Sequence, residues 1–232
     1  MVRADVEPEE VKRVGHRRHG HHDGVKRGRY GNPADLDRMI ARQLAPGRPA
    51  WQKPERVIRA IGVRRGQVVA DVGAGPGFFA LRLARAVGPA GHVYAVDPEP
   101  ALLDVLRGRL VRSGAKNVTP VLSLGEDPML PAGRCDVALI VNTYHHVADG
   151  RAFLRRLTRA LAPGGRVVNI DFATRETPVG PPVDQRVGRE EFLRDARRAG
   201  LILVAEHRFL PHQYFLVLRP RRRTRPRAGA RV

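Results

Sequence analysis

Two carboxylates and a glycine-rich turn stand at a spacing that suits a nucleoside-like ligand. Asp71 ends an apolar run and precedes glycines at positions 73, 75 and 77. Glycine has no Cβ, so such a turn lets the backbone approach a ligand closely. A pyrophosphate over these glycines would be repelled by a carboxylate directly before them. Asp71 therefore indicates a ligand that lacks phosphates and has positive groups of its own.

Asp97 closes the second apolar run, Val93–Asp97, twenty residues beyond Gly77. A carboxylate there can accept hydrogen bonds from both hydroxyls of a ribose. Nicotinamide dehydrogenases also place an acid at this point, so Asp97 alone does not separate the two ligand classes. The turn Gly73-Ala74-Gly75-Pro76-Gly77 lacks the Gly-x-Gly-x-x-Gly spacing of dinucleotide loops. Together with Asp71, this spacing disfavours a nicotinamide dehydrogenase.

The segment Asp71-Val72-Gly73-Ala74-Gly75-Pro76-Gly77 resembles motif I of the class I S-adenosylmethionine-dependent methyltransferases, in a generic subgroup acting on small molecules. S-adenosylmethionine has a sulfonium, an α-ammonium and a ribose with two free hydroxyls, which suits both carboxylates. The resemblance covers about residues 31–218. It implies a Rossmann-like α/β three-layer sandwich with a mostly parallel seven-stranded sheet, in the order 3-2-1-4-5-7-6 with strand 7 antiparallel.

The resemblance also implies a set of residues that bind this cofactor. They are Asp71, Gly73, Ala74, Gly75, Gly77, Asp97, Pro98, Glu126, Asp127 and Asn142. Either Glu126 or Asp127 could accept a hydrogen bond from the adenine amino group, or both could be solvated loop acids. Asn142 matches the position where the family's chain turns beneath the cofactor. Thr143-Tyr144 replaces the Pro-Pro of enzymes that methylate amino groups of nucleic acid bases, which argues against that reaction.

Candidate catalytic side chains follow the fourth strand, at Tyr144, His145 and His146. Methyl transfer is an in-line displacement, so a nucleophile must be held behind the methyl group and, where necessary, lose a proton. Histidine can accept that proton near neutral pH. The alternative is that these histidines pack or cap the next helix. Asp171, at the end of the fifth strand, could also face the substrate.

Apolar strands alternate with helical patterns from Gln67 onward, which predicts a parallel sheet covered on both faces. We expect strands near 67–71, 92–96, 118–123, 136–142 and 166–171. We expect helices near 76–88, 99–114, 148–162 and 189–199, the third ending at Pro163-Gly164-Gly165. Residues 201–204 and 214–218 are joined by too short a connection for a parallel crossover, so they should pair antiparallel.

The N-terminal region divides into an arm and a helical cap. Residues 1–30 mix charge, glycine and histidine without apolar periodicity, which predicts a disordered arm. Its histidines favour an adventitious metal site over a functional one, and the pattern leaves metal binding open. Residues 31–62 should form the cap, with one helix from Asn32-Pro33 to Leu44 and another from Pro54 to Ile61. Trp51 lies between them and either covers the ligand or anchors the cap. The core then occupies 63–218.

Charge and composition limit the kinds of partner that can be expected. Of the net charge of +19, residues 33–218 retain +9, because residues 1–32 carry +3 and a predicted disordered tail, 219–232, carries seven arginines and no acid. The chain has only four lysines, and such arginine-rich composition is typical of a GC-rich coding sequence. No apolar stretch is long enough to cross a membrane, so a cytoplasmic protein is expected. The single cysteine, Cys135, excludes an internal disulfide and a cysteine-rich metal site, and no metal is predicted.

These observations predict an S-adenosylmethionine-dependent methyltransferase acting on a small-molecule acceptor. One alternative keeps the chemistry but makes the acceptor RNA or a protein, guided by the arginines of Arg219–Val232. A second alternative is a non-catalytic protein that binds S-adenosylmethionine. The oligomeric state and the methylated atom are left open by the pattern.

Overall fold

A seven-stranded sheet organises the part of the chain that the computed structural model describes, residues 36–124 and 126–221. Its spatial order is β3-β2-β1-β4-β5-β7-β6. The strands are β1 Val68–Val72, β2 His92–Asp97, β3 Val118–Leu122, β4 Cys135–Val141, β5 Leu161–Phe172, β6 Leu201–His207 and β7 Gln213–Pro220. The first five are parallel, and β7 runs antiparallel to both β5 and β6. The predicted order and direction are confirmed.

The strand order reverses between β1 and β4. The chain moves from β1 outward through β2 to β3, then returns to place β4 on the other side of β1. The carboxyl ends of parallel strands meet at one edge of the sheet, and the loops there separate at the point of reversal. A crevice for a ligand is therefore expected above the ends of β1 and β4.

Helices cover both faces of the sheet. They are α1 Leu36–Gln43, α2 Arg48–Gln52, α3 Pro54–Ile61, α4 Ala80–Val87, α5 Pro100–Ser113, α6 Gly150–Ala160 and α7 Arg189–Arg198, with single 3₁₀ turns at Tyr144–His146 and Val183–Gln185. Alternate strand residues pack on opposite sides, so Val137 and Leu139 join the core beneath α3, α4 and α5. Ala138 and Ile140 join the core beneath α6 and α7. The strands are apolar on both faces because neither face meets water.

Two predicted boundaries are wrong. The helix expected from residue 76 begins only at Ala80, because the turn continues through Gly77 with φ +84°. The fifth strand begins at Leu161, which pairs with Cys135 before the register shifts and Val137 pairs with Arg166. Residues 163–165, predicted to stop a helix, thus lie in an irregularity within β5, and α6 ends at Ala160.

The C-terminal hairpin pairs as predicted but is longer. β7 continues to Pro220, and the amide of Arg221 donates a hydrogen bond to the carbonyl of Gly200 at 2.8 Å. The predicted end of the domain at 218 is therefore short by at least three residues. Residues 222–232 lie outside the described residues, as does the arm predicted at 1–30. In the described ranges, no helix is long and apolar enough to cross a membrane.

The helical cap contains one helix that the sequence pattern missed. α2 begins at Arg48 with Pro49 in its first turn, where the missing amide hydrogen of proline costs nothing. Lys53, with φ 47° and ψ 53°, ends α2 and turns the chain directly into α3. α3 has the predicted bounds and buries Val57, Ile58 and Ile61. The predicted helix start at Asn32-Pro33 lies outside the described residues.

Candidate active site

The glycine turn after β1 is packed too closely for side chains. Gly73, Gly75 and Gly77 have φ values of +76°, +53° and +84°, a region that residues with a Cβ rarely adopt. A Cβ on Gly73 would overlap the side chain of Thr143, and one on Gly75 would overlap Gln43. The turn thus lies between the end of β4 and the last residue of α1.

Asp97 ties the end of β2 to this turn. Its carboxylate is 2% exposed, and one oxygen accepts from the amide of Gly75 at 2.8 Å. The other oxygen accepts from the amide of Glu99 at 3.0 Å, which bends the chain around Pro98. The amides of Gly73 and Ala74 donate to the carbonyl of Val96 at 2.8 and 2.9 Å. The structure therefore brings these predicted residues together in one rigid unit, with carboxylate lone pairs that can accept from a diol.

Asp71 is a buried acid with an unmet hydrogen-bonding group. It is 2% exposed, and its Oδ2 has no partner among the described residues. Burial raises the pKa of Asp71 to about 7, although the nearby Arg48 and the donating amide of Ala80 act in the opposite direction. A buried carboxylate oxygen without a donor is costly unless a ligand supplies one. The site at the end of β1 therefore fits a cationic ligand group.

Arg48 and Gln43 of the cap reach this turn, and sequence reasoning missed both. The guanidinium carbon of Arg48 lies 4.0 Å from the ring centre of Phe78, the residue that follows Gly77. Its Nη1 donates to the carbonyl of Gln43 at 2.8 Å. Neither residue belongs to a periodic pattern or motif, so no local signal could have identified it.

Glu126 and Asp127 have partners within the protein. Glu126 accepts from the amide of Asp149 at 2.6 Å, just before α6. Asp127 accepts from the amide of Met129 at 2.9 Å and lies 3.7 Å from the guanidinium of Arg156. These contacts support the loop after β3, so a contact of either acid with adenine stays a prediction.

Asn142 belongs to a closed ring of three side-chain amides, which we call the amide ring. Asn142 donates to Gln52 at 3.2 Å, Gln52 donates to Gln213 at 2.8 Å, and Gln213 donates back to Asn142. Asn142 has φ 55°, and its backbone turns there beneath the crevice. The amide ring joins α2, the end of β4 and the start of β7. These hydrogen bonds therefore hold the cap against the sheet.

His145 and Asp171 form a buried pair beside the crevice. The Nδ1 of His145 lies 2.8 and 3.1 Å from the two carboxylate oxygens of Asp171, and both side chains are at most 6% exposed. The amides of Phe172 and His145 also donate to Asp171, at 2.8 and 3.3 Å. A carboxylate at Nδ1 requires the hydrogen there, so neutral His145 presents the lone pair of Nε2 on the other side of its ring.

His146 and Tyr144 differ from this pair. His146 is more exposed than His145, and its ring centre lies 4.2 Å from that of His145. The protein atoms packed around its ring and then His145 lower the pKa of His146 to about 4, because both disfavour the imidazolium. Tyr144 is fully buried and donates to Asp195 at 2.8 Å beneath α7. Tyr144 thus packs in the core and supports α7, and a catalytic role for it stays a prediction.

Aromatic rings lie together where the cap meets the end of β5. Trp51 is half-buried and lies 5.8 Å from Phe172 and 6.3 Å from His212 between ring centres. The guanidinium of Arg186 lies 5.2 Å from the ring centre of Phe172. Trp51 therefore lies beside the end of β5 and the residue that precedes β7. Its two predicted roles, a cover for the ligand and an anchor for the cap, stay predictions.

The chain matches the family described as "Methyltransferase domain" over residues 69–165. The ubiquinone/menaquinone biosynthesis C-methyltransferase UbiE of Azotobacter vinelandii is 36% identical over 117 residues, which cover 50% of this chain and 46% of that protein. The protein of the same name from Vibrio vulnificus is 34% identical over 125 residues, covering 53% and 47%. The chain thus spans about half the length of the curated relatives it matches.

Solved structures resemble this chain over about three quarters of its length. A structure titled as a SAM dependent methyltransferase from Aquifex aeolicus has a TM-score of 0.75 and 26% identity, covering 78% of this chain and 96% of that one. The [4+2]-cyclase SpnF has a TM-score of 0.62 and 16% identity, covering 74% and 82%. The likeness to SpnF concerns the fold alone, since one fold supports several chemistries.

Proposed function

We propose that this chain is a class I S-adenosylmethionine-dependent methyltransferase, as its similarity to that family supports, and that it transfers a methyl group from S-adenosylmethionine to a small organic acceptor. The observation that supports this cofactor most directly is the pair of buried carboxylates around the glycine turn. Asp97 is tied to the turn by Gly75, where it can accept from the ribose hydroxyls. Asp71 keeps one buried oxygen without a donor, which suits the cationic end of the cofactor.

The same residues disfavour a nicotinamide cofactor. Its pyrophosphate would lie over the glycine turn, where Asp71 would repel it. Gln43 also packs against Gly75, so the space above the turn is narrow. The residues present therefore fit a nucleoside without phosphates.

When bound, S-adenosylmethionine supplies an electrophilic methyl group on a sulfonium. The protein must hold the acceptor in line behind that methyl group and remove its proton where one is lost. We assign proton removal to Nε2 of His145, because Asp171 fixes the imidazole at Nδ1 and stabilises the imidazolium that forms. The buried carboxylate of Asp171 thus positions the base rather than touching the substrate.

The acceptor that this crevice favours is planar and apolar with one acidic hydrogen. Trp51 and Phe172 offer aromatic surface for such a ring, and His145 lies at the adjacent strand end. The relatives that the chain matches are named as C-methyltransferases of ubiquinone and menaquinone biosynthesis. We therefore infer an electron-rich carbon or oxygen of a small ring compound as the methylated atom.

Calorimetric titration tests the cofactor. Wild type should bind S-adenosylmethionine and S-adenosylhomocysteine but not NAD. Asp97→Ala should weaken both adenosyl ligands by about 100-fold, since two hydrogen bonds to a charged group are lost. Asp104→Ala, which removes an exposed acid paired with Arg107 on α5, is the matched control and should bind like wild type. If neither adenosyl ligand binds wild type, the proposed function is wrong.

A further inference from the structure

A groove of about 530 Å³ lies at the amino ends of the strands, at the opposite edge of the sheet from the crevice. Its lining comes from α4, from the end of α5 and from the residues that precede β1, β2 and β3. This volume is within the range of about 300 to 1,000 Å³ that is typical of small-molecule sites. The glycine turn and His145 follow the carboxyl ends of their strands. The groove is therefore separate from the proposed cofactor and acceptor sites.

Three cationic side chains and no acidic side chain line this groove. The cations are those of Arg65, Arg85 and Lys116, and all three residues are exposed. Within the described part of the chain, these side chains form no ion pair and no hydrogen bond. Like charges on one concave surface repel each other and raise the local concentration of anions. The groove therefore favours an anionic ligand.

The carbonyl groups at the end of α4 do not account for these cations. Cationic side chains often donate to the last carbonyls of a helix. Here Asn117 donates to the carbonyls of Ala84 and Gly88 at 3.0 and 2.8 Å, and the amide of Gly66 donates to that of Val87 at 2.8 Å. Backbone and amide groups thus already satisfy the end of the helix. The donors of the three cations remain open to a ligand.

Arg65 is held against the backbone of the groove. Gly88 is buried and has φ +67°, and a Cβ on it would lie 3.0 Å from the guanidinium carbon of Arg65. The two terminal nitrogens would lie 3.1 and 3.3 Å from the same Cβ, so the plane of the guanidinium packs on Gly88. A guanidinium in this position presents its N–H groups at its edge, where they match the oxygens of a phosphate.

We propose that this groove binds a small organic phosphate. The three cations suit a group with two negative charges better than a carboxylate with one. Leu81 and Ala84 are buried beneath them, and Pro89 and Ala115 complete an apolar surface for the organic part of the ligand. This binding site is additional to the methyltransferase site and does not depend on it.

Ligand-observed NMR titration tests the class of ligand. Phenyl phosphate should bind wild type with a Kd of about 1 mM or lower. Inorganic phosphate lacks the apolar part and benzoate has a single charge. Each of them should therefore bind at least about threefold more weakly than phenyl phosphate.

Substitutions test the position of the site. Arg65→Gln and Lys116→Gln should each weaken phenyl phosphate by about 5- to 20-fold, since each removes a charged contact. Arg151→Gln, which removes an exposed arginine of α6 outside the groove, is the matched control and should bind like wild type. The temperature of unfolding should change by less than about 2 °C in all three variants, which shows that they are folded.

Several results would overturn this inference without affecting the proposed function. Absence of phenyl phosphate binding, or equal affinity for the three anions, would show that the groove has no built site. An equal loss in Arg151→Gln would show attraction by net charge alone. Displacement of phenyl phosphate by S-adenosylhomocysteine would place it in the crevice. A single-stranded oligonucleotide that needs Arg65 and Lys116, where phenyl phosphate does not bind, would instead assign the groove to nucleic acid.

Discussion

At the scale of single residues, the buried carboxylate of Asp71 destabilises the folded protein without ligand, but the same carboxylate can bind a cationic ligand group. A carboxyl whose pKa is raised from 3.8 to about 7 is protonated in the folded protein at pH values where the unfolded chain is ionised. The folded state then binds more protons than the unfolded state, so stability decreases as pH rises from about 4 to 7. Above pH 7 the full cost remains, unless a cationic ligand offsets it.

We therefore expect Asp71→Asn to stabilise the protein without ligand while impairing cofactor binding. At pH 8 the gain should be roughly 2 to 4 kcal/mol, and it should shrink toward zero near pH 4. Urea denaturation at several pH values measures this difference, and calorimetry measures the loss of S-adenosylhomocysteine binding. A gain that does not depend on pH would contradict the assignment of the raised pKa to Asp71.

The two adjacent histidines, His145 and His146, have different environments, so their contributions to kcat can be distinguished by substitution. His145 is held by a buried carboxylate, whereas the lowered pKa of His146, about 4, makes it a weak base. Once an acceptor is known, His145→Ala should reduce kcat by about 100-fold or more, the usual contribution of a general base. His146→Ala should reduce kcat by less than about threefold, since a weak base contributes little. Cofactor affinity, measured by calorimetry, should be unchanged in both, and the opposite ranking of kcat would assign the base to His146.

At the scale of elements, the strands and most helices were predictable because their signals are local. Runs that are apolar on both faces, such as Val137–Val141, identify buried parallel strands, and the glycine turn identifies the connection after β1. The start of α4 was not predictable, because only close packing of Gly77 against Leu106 shows that the turn continues. The early start of β5 depends equally on a distant pairing, that of Leu161 with Cys135.

The amide ring permits a test of how the cap is held. Gln213→Leu leaves Asn142 and Gln52 each without one partner, which should cost about 1 to 3 kcal/mol of unfolding free energy. Urea denaturation measures this cost, and limited trypsin digestion measures the exposure of the cap. Gln185→Leu, an exposed glutamine in a 3₁₀ turn, is the matched control and should change stability by less than about 0.5 kcal/mol. Equal stability of both variants would show that the amide ring does not hold the cap.

At the scale of the whole molecule, the candidate site has two parts. The residues at the strand ends were predictable from the sequence, and the residues of the cap were not. Asp71, Asp97 and the glycines lie on consecutive strand ends, so a motif within 27 residues contains them. Arg48 and Gln52 act on partners that are distant in sequence, as in the bond from Gln52 to Gln213 across 161 residues. Such contacts leave no local periodicity. The sequence thus indicated the ligand class well, but not the residues of the cap that enclose it.

The amide ring has a consequence for the order in which the protein is synthesised. Its three members come from the beginning, the middle and the end of the described chain. A nascent chain that has emerged as far as β4 already contains the glycine turn and both carboxylates. It still lacks Gln213, so the amide ring cannot close until the last strand leaves the ribosome, although α3 and Arg48 already have partners in α4 and Phe78. The complete attachment of the cap therefore depends on a chain that extends to β7.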